Sequence, residues 1–352
     1  MNKYGGIVFG AWLAWFSPMV LADEPADQGQ TAASSQVDAA EQARDALQQK
    51  EGDVSSEKNL EEVFEAAQKQ YSLLRSGGMD MTLSGSYTYY GNMAYDMSAE
   101  GSGINYFRVV NNAQHSFGAG LSFDYGIWDN LTFNTYLPLS YQYDTEKDTS
   151  KAALGDVSFG LRYQPFPVVS GGINTTLYTT LSTATGDSPY DINPNREVSS
   201  GKGYYSLGGG ISMSRVIDPV VIFGSMGYTF AFDANGLHQT RSSRILEKVE
   251  PGDSLSFSFG LAYSLSYDVS ISGSYQQSYN FASKYHFLYG ADKQIISSND
   301  STSGVMNMSL GLRTTSNRIV NVSFGFGLTP DSPDVMLGIS LPIDIEGLKS
   351  GS

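Results

Sequence analysis

The chain has 352 residues, 36 acidic against 21 basic, no cysteine, and a formal charge of −15. That charge argues against nucleic acid as a partner, because phosphates need basic contacts. Zero cysteine removes disulfides, thiolate metal sites and cysteine nucleophiles. Only 16% of residues are charged, while glycine (38), tyrosine (23) and phenylalanine (18) are abundant. The composition is that of a glycine- and aromatic-rich β protein.

Residues 1–22 read as a secretory signal peptide. Lys3 is their only charge, Ile7 to Trp15 is a short apolar run, and Val20-Leu21-Ala22 offers a cleavage point. A membrane anchor would need about 20 uninterrupted apolar residues. No later run reaches that length, so any further membrane span must be built from strands.

From Asp23 to Arg75 the chain holds 12 acidic and 5 basic residues, a density that falls sharply afterwards. Residues 23–58 form a polar linker with a weak helical, heptad-like segment around Val37, Ala40, Arg44 and Leu47. Residues 59–76 are predicted as one amphipathic helix. Asn59 and Glu62 make a capping box, Gly77 and Gly78 mark the end, and Leu60, Val63, Phe64, Ala67, Tyr71 and Leu74 form its apolar stripe. Such a helix cannot stay folded with that face in water. It must pack in a barrel lumen as a plug, on a sister copy, or on another protein.

At Met79 the hydrophobic period changes from 3.6 to 2. In Leu255 to Leu265 the odd positions are large and apolar, and the even ones are Ser, Gly or Ala. Small polar residues on one face suit a crowded barrel interior, with the bulky residues turned to lipid. Twelve strands are predicted, near 79–91, 113–127, 131–143, 155–165, 172–185, 204–216, 219–232, 253–265, 269–281, 304–314, 318–328 and 335–345. Short turns alternate with longer loops at 92–112, 144–154, 186–203, 233–252 and 282–303, and only 329–334 is short among the latter set. The expectation is an all-β fold, a 12-stranded antiparallel transmembrane β-barrel over 79–345, with a tail at 346–352. Short turns, and with them both termini, then face the periplasm. Trp128, Tyr163, Phe166 and Tyr267 at one end, and Tyr89, Tyr90, Tyr141, Tyr143, Phe230, Phe232, Tyr279 and Phe281 at the other, are placed as interfacial girdles.

By alternation Asp80, Asp124, Arg162, Arg313 and Asp344 point into the lumen near the periplasmic ends of their strands. Charges there set selectivity, grip a plug, or simply pair as fillers. The three histidines, His115, His238 and His286, are scattered and match no metal or catalytic spacing. Leu207-Gly208-Gly209-Gly210 is no dinucleotide fingerprint. Neither enzyme nor cofactor nor metal is expected.

Four segments carry a resemblance: Gly155-Asp156-Val157-Ser158-Phe159-Gly160-Leu161-Arg162-Tyr163, Thr183-Ala184-Thr185-Gly186-Asp187, Pro251-Gly252-Asp253-Ser254, and Pro333-Asp334-Val335-Met336-Leu337-Gly338-Ile339-Ser340-Leu341-Pro342. In their order, they are similar to the outer-membrane barrel family of the meta-pathway of phenol degradation, which includes the pore exporting functional-amyloid (Fap) subunits. The resemblance covers roughly 79–345 and implies a twelve-stranded outer-membrane channel. The first functional reading is a helix-gated pore that exports a polypeptide such as an amyloid subunit. Uptake of aromatic or other apolar small molecules is the alternative, disfavoured by an inner face of Ser, Gly and Asn. A structural or adhesive barrel acting through acidic outer loops is the third. The partners implied are outer-membrane lipids, the barrel-assembly machinery and the cargo; monomer and homo-trimer both stay open.

Overall fold

The computed structural model describes residues 73–343, apart from 101–102, 145–148, 168–170, 193–197, 218, 242–243, 267, 290–291 and 316–317. Leu60 to Tyr71 and Asp344 therefore lie outside the described residues. Among the described residues the secondary structure is entirely β. The strands are β1 (Met79–Glu100), β2 (Gly103–Trp128), β3 (Leu131–Asp144), β4 (Thr149–Leu154), β5 (Ser158–Tyr163), β6 (Ile173–Ser182), β7 (Ser206–Ile217), β8 (Val220–Ala231), β9 (Ala234–Arg241), β10 (Arg244–Glu250), β11 (Ser254–Ser264), β12 (Val269–Asn280), β13 (Lys284–Tyr289), β14 (Asp292–Ser297), β15 (Ser301–Thr315), β16 (Arg318–Gly327) and β17 (Val335–Ile343).

Twelve of these close into a ring in the order β1, β2, β3, β5, β6, β7, β8, β11, β12, β15, β16, β17. The seam is the antiparallel pairing of β1 with β17, from Met81 opposite Ile343 to Tyr89 opposite Val335. Closure leaves no free edge in the ring, and pairs the backbone groups that hydrocarbon would leave unsatisfied.

The residue distribution is inside-out. Thr132 and Ser212 are 0% exposed, whereas Phe259 and Leu261 are 58% and 54% exposed. The exposed belt continues through Leu177, Leu207, Ile222, Leu337 and Ile339. Strand β5 shows the rule residue by residue, with Ser158, Gly160 and Arg162 buried and Phe159, Leu161 and Tyr163 outward. A soluble protein has no use for such a belt; a bilayer has.

Three expectations need correction. The connections expected as loops at 233–252 and 282–303 are β-hairpins, β9–β10 and β13–β14, which join as a second, four-stranded sheet. A register shift between Leu246 and Lys248 breaks the alternation that would have announced β10. Likewise β1 and β2 run on as one hairpin to Glu100 and Gly103, through the stretch expected as a loop at 92–112. The fourth barrel strand, expected over 155–165, is β5 alone, and the loop expected at 144–154 contains the further strand β4. Strand β5 pairs with β3 up to Ser158 opposite Tyr136, and β4 resumes at Leu154 opposite Leu139.

The outward belt gives a direct test. Phe259→Arg, at mid-strand on the lipid side, should cost about 2–4 kcal/mol of folding stability in a bilayer. Urea titration into phospholipid vesicles would measure it, and an unchanged midpoint would contradict a lipid-facing Phe259.

Candidate functional site: the lumen and its two ends

Inward residues of every strand line the lumen, and most are small and polar. Thr82, Ser158, Thr176, Ser212, Ser272, Asn307, Ser309, Asn321 and Ser323 are all buried there. Larger side chains are accommodated by glycines on the neighbouring strand. A Cβ on Gly120 would collide with the Tyr136 hydroxyl, and one on Gly210 with the Tyr178 hydroxyl. Gly260 similarly gives room to Phe223, whose Cζ would lie 2.6 Å from an added Cβ. The rings are thus laid along the wall over bare backbone.

At the short-turn end the structure brings three of the expected charges together. Asp124 and Arg162 form a buried ion pair through Asp124 Oδ1 and Arg162 Nη2. Asn134 Nδ2 donates to the same carboxylate at 3.0 Å. Asp80 stands directly opposite Asp124 in the β1–β2 ladder, on the same inward face. Arg313 is also inward-facing at this end but belongs to β15, separated from β1 by β16 and β17.

The same end receives the chain that precedes the barrel. The Leu74 amide donates to Thr132 Oγ1 at 2.9 Å, and Thr132 is buried on the inner face of β3. Gly77 N donates to Gly126 O at 2.8 Å, and Gly126 N returns a bond to Gly78 O at 2.9 Å. A Cβ on Gly126 would overlap the Arg75 carbonyl oxygen, so only glycine lets residues 74 and 75 cross there. Ser76 N is held by Asp129 Oδ1 at 3.0 Å. This corrects the expected helix end: residues 73–75 are not helical, because the Leu74 amide bonds the barrel wall instead of a preceding turn. Gly77 does take the positive φ expected of a terminator, at 77°.

The lumen is not uniformly polar, contrary to expectation. Val221, Phe223 and Ala262 form a buried inward cluster, with Val216 packed against it. These residues sit at the short-turn end of β7, β8 and β11. In the ring, β8 and β11 lie opposite β1 and β2, so the apolar patch faces the Asp80–Asp124 side. Sequence reasoning missed it because one valine or phenylalanine per strand does not disturb an alternation count.

At the hairpin end the gap between β4 and β5 is closed by side chains instead of a ladder. The Asp156 carboxylate accepts from Gly186 N at 3.0 Å and Lys202 N at 2.6 Å. Thr185 Oγ1 accepts from Val157 N at 2.9 Å and donates to Gly155 O at 3.1 Å. Ser200 Oγ donates to Leu154 O at 2.8 Å, and Lys151 pairs with Asp187 at 2.8 Å. Lys151, with Ser200 assisting, holds the Asp187 carboxyl below its ordinary range. The Gly155–Asp156 and Thr183–Asp187 segments singled out in the sequence meet at this gap.

Above it, Tyr190, Ala234, Leu237, Leu246 and Val249 form a dry core, with Tyr204, Tyr285 and Phe287 packed against it. Burial foremost, then Tyr285 and Asp156, pushes the Tyr204 phenol up to about 12. Beside this core Lys248 bonds Asp233 at 2.7 Å and Glu250 at 2.9 Å, and His286 Nε2 lies 3.1 Å from Glu250. His115 instead belongs to the outer aromatic belt, accepting from or donating to Tyr87 at 2.9 Å, and His238 is exposed. Among the described residues no group of three acidic or histidine side chains could hold a metal ion.

No protein-family model matches the chain. Among solved structures, the COG4313 outer membrane channel from Pseudomonas putida F1 matches with a TM-score of 0.56 at 12% identity, over 77% of this chain and 97% of that one. The translocator domain of the autotransporter NalP from Neisseria meningitidis matches with a TM-score of 0.46 at 8% identity, over 87% and 98%. A deletion mutant of the TodX monoaromatic hydrocarbon channel gives 0.43 at 11% identity, over 79% and 91%. The first likeness places the fold among outer-membrane barrels.

Removing one half of the buried ion pair is the sharpest test of this site. Asp124→Ala strands Arg162 and should cost about 3–5 kcal/mol, whereas Asp124→Leu combined with Arg162→Leu should cost far less. Denaturant midpoints of the three proteins would show it.

Proposed function

We propose that the protein is a bacterial outer-membrane channel whose lumen is closed from the periplasmic side by its own N-terminal segment, and that it exports an unfolded polypeptide. The observation that carries this reading is the bond from the Leu74 amide to Thr132, on the inner face of the wall. The chain preceding the barrel is directed into the lumen at the short-turn end, which we take as periplasmic. On this reading Val216, Val221, Phe223 and Ala262 are the apolar surface offered to the stripe of Leu60, Val63, Phe64, Ala67, Tyr71 and Leu74. Asp80, Asp124, Arg162 and Arg313 supply the polar side and the local field once the plug withdraws.

A lumen of serine, threonine and asparagine gives an unfolded chain hydrogen-bonding partners but few apolar holds, which suits passage over retention. The motif resemblance to the phenol-degradation barrel family, with its amyloid-subunit exporter, points to the same cargo class. The apolar patch supports a second reading, uptake of aromatic or other apolar small molecules, for which Phe223 would be the contact.

Planar-bilayer recordings of residues 23–352 and 76–352 test the first reading. A closed full-length channel beside an open truncation is expected; equal conductance would remove the plug. Flux of an aromatic solute into vesicles that falls with Phe223→Ser would instead favour the second.

A further inference from the structure

The four-stranded sheet continues the wall. Its strands β9, β10, β13 and β14 follow the order of β8, β11, β12 and β15 below them. Backbone bonds tie the levels together, such as Phe281 N to Asp253 O at 2.9 Å and Ser298 N to Ser283 O at 2.8 Å. Strands β1 and β2 also rise past the wall, as one hairpin to Glu100 and Gly103. Between these two extensions the wall is low: β16 ends at Gly327, β17 begins at Val335, and only the short turn 328–334 joins them. Among the described residues the rim therefore has a notch two strand positions wide, with β14 on one side and β1 on the other.

Both sides of the notch are unpaired backbone. Tyr89 O accepts from Asp334 N at 3.0 Å, and Gly91 N donates to Asp334 Oδ2 at 2.5 Å. The odd residues of β1 thus turn their peptide groups toward β17. Above Gly91 the same alternation presents Met93, Tyr95 and Met97 to the notch, where no described strand pairs with them. On β14, Ser298 N turns toward β13, so Lys293, Ile295 and Ser297 face the other way. Strand β14 ends its sheet, and all its residues are exposed. Ile295 and Ile296, 59% and 40% exposed, put aliphatic side chains on both of its faces.

Comparable edges nearby are covered. In the floor of the notch Asp331 Oδ2 accepts from Thr302 N at 2.9 Å, and Thr329 Oγ1 and Ser332 Oγ accept from Gly304 N at 2.9 Å. The far edge of the sheet, β9, is met by the β6–β7 connection, where Gln239 Nε2 donates to Ile192 O at 2.8 Å. Neither β14 nor β1 above Gly91 contains a proline to blunt its edge.

Strand direction decides what fits. Strand β14 runs toward the wall and β1 runs away from it, so a single added strand would be parallel to one of them. Two added strands, one up and one down, are antiparallel to both neighbours and match the width available. Such a pair is a β-hairpin. We infer that the notch is a docking site for an extended, β-prone polypeptide, which adds a hairpin between β14 and β1 and completes the rim by edge pairing. Ile295 and Ile296 favour apolar or β-branched side chains in the strand beside them. The inference goes beyond the channel reading and depends on neither the plug nor the direction of transport.

The probe is a fluorescent Thr/Val hairpin peptide with an Asn-Gly turn, titrated by anisotropy into the purified full chain. Saturable binding is expected, weakened about tenfold by Ile295→Pro and likewise by Tyr95→Pro, since each removes one donor from one edge. The ladders to β13 and β2 stay whole, because these two amides face away from them. Ile295→Thr keeps the donor and should weaken binding less than Ile295→Pro. Heat-dependent gel mobility confirms a folded barrel in each variant. No saturable binding, indifference to either proline, or equal loss with Ile295→Thr and Ile295→Pro would overturn the site. Hydrogen exchange supplies a second readout: the Tyr95 and Ile295 amides should exchange fast alone and slowly with peptide. Slow exchange without peptide would mean that this chain or a second copy already fills the notch, and would equally overturn the inference. Failure of the export reading would show in the conductance of the truncation and leave these affinities untouched.

Discussion

Within hydrocarbon there is no water to satisfy a backbone amide, and the architecture follows from that constraint. It requires the antiparallel ring closed by β1 and β17, and it turns the apolar face outward, since lipid and not core receives it. It also bears on the break in the ladder beside β3. Between β4 and β5, Pro138 stands opposite the break, and its neighbour Gly155 donates its amide to Pro138 O at 2.9 Å. Asp156, Thr183, Thr185 and Ser200 then supply the bonds that a continuous strand would have made. A carboxylate and three hydroxyls are used there because the β6–β7 connection is irregular and its amides need fixed partners.

The interior obeys a second constraint, that a narrow ring leaves little room. Glycines on β2, β7 and β11 lie beneath Tyr136, Tyr178 and Phe223, so large rings rest against the wall. The remaining inward positions carry hydroxyls and amides that bond one another, as Ser225 and Ser258 do at 2.7 Å. At the short-turn end Arg162 pairs with Asp124, and Asn134 donates to the same carboxylate.

The two ends are built by different physics. At the short-turn end the incoming chain is held by backbone bonds to Thr132, Gly126 and Asp129, contacts that any peptide could make and that water can replace. At the hairpin end Tyr190, Ala234, Leu237, Leu246 and Val249 form an apolar cluster with almost no exposed surface.

Much of this was legible in the residues. A period of two, with bulky residues on one face and Ser or Gly on the other, marked the twelve wall strands and the residues each turns to lipid. That is because each strand carries its own alternation, independent of its neighbours. Alternation cannot say which inward residues meet across strands. The Asp124–Arg162 pair, the apolar patch of Val221, Phe223 and Ala262, and the Leu74 contact with Thr132 depend on register and ring order. The hairpins at 234–250 and 284–297 escaped for a related reason: a bulge at Leu246–Lys248 erased the local period, and only packing against Tyr190 and Tyr204 gives those residues a buried side. The sequence by itself determined what each strand turns to lipid and what it turns inward; the tertiary structure decided which inward groups meet, because those contacts join residues far apart in the chain.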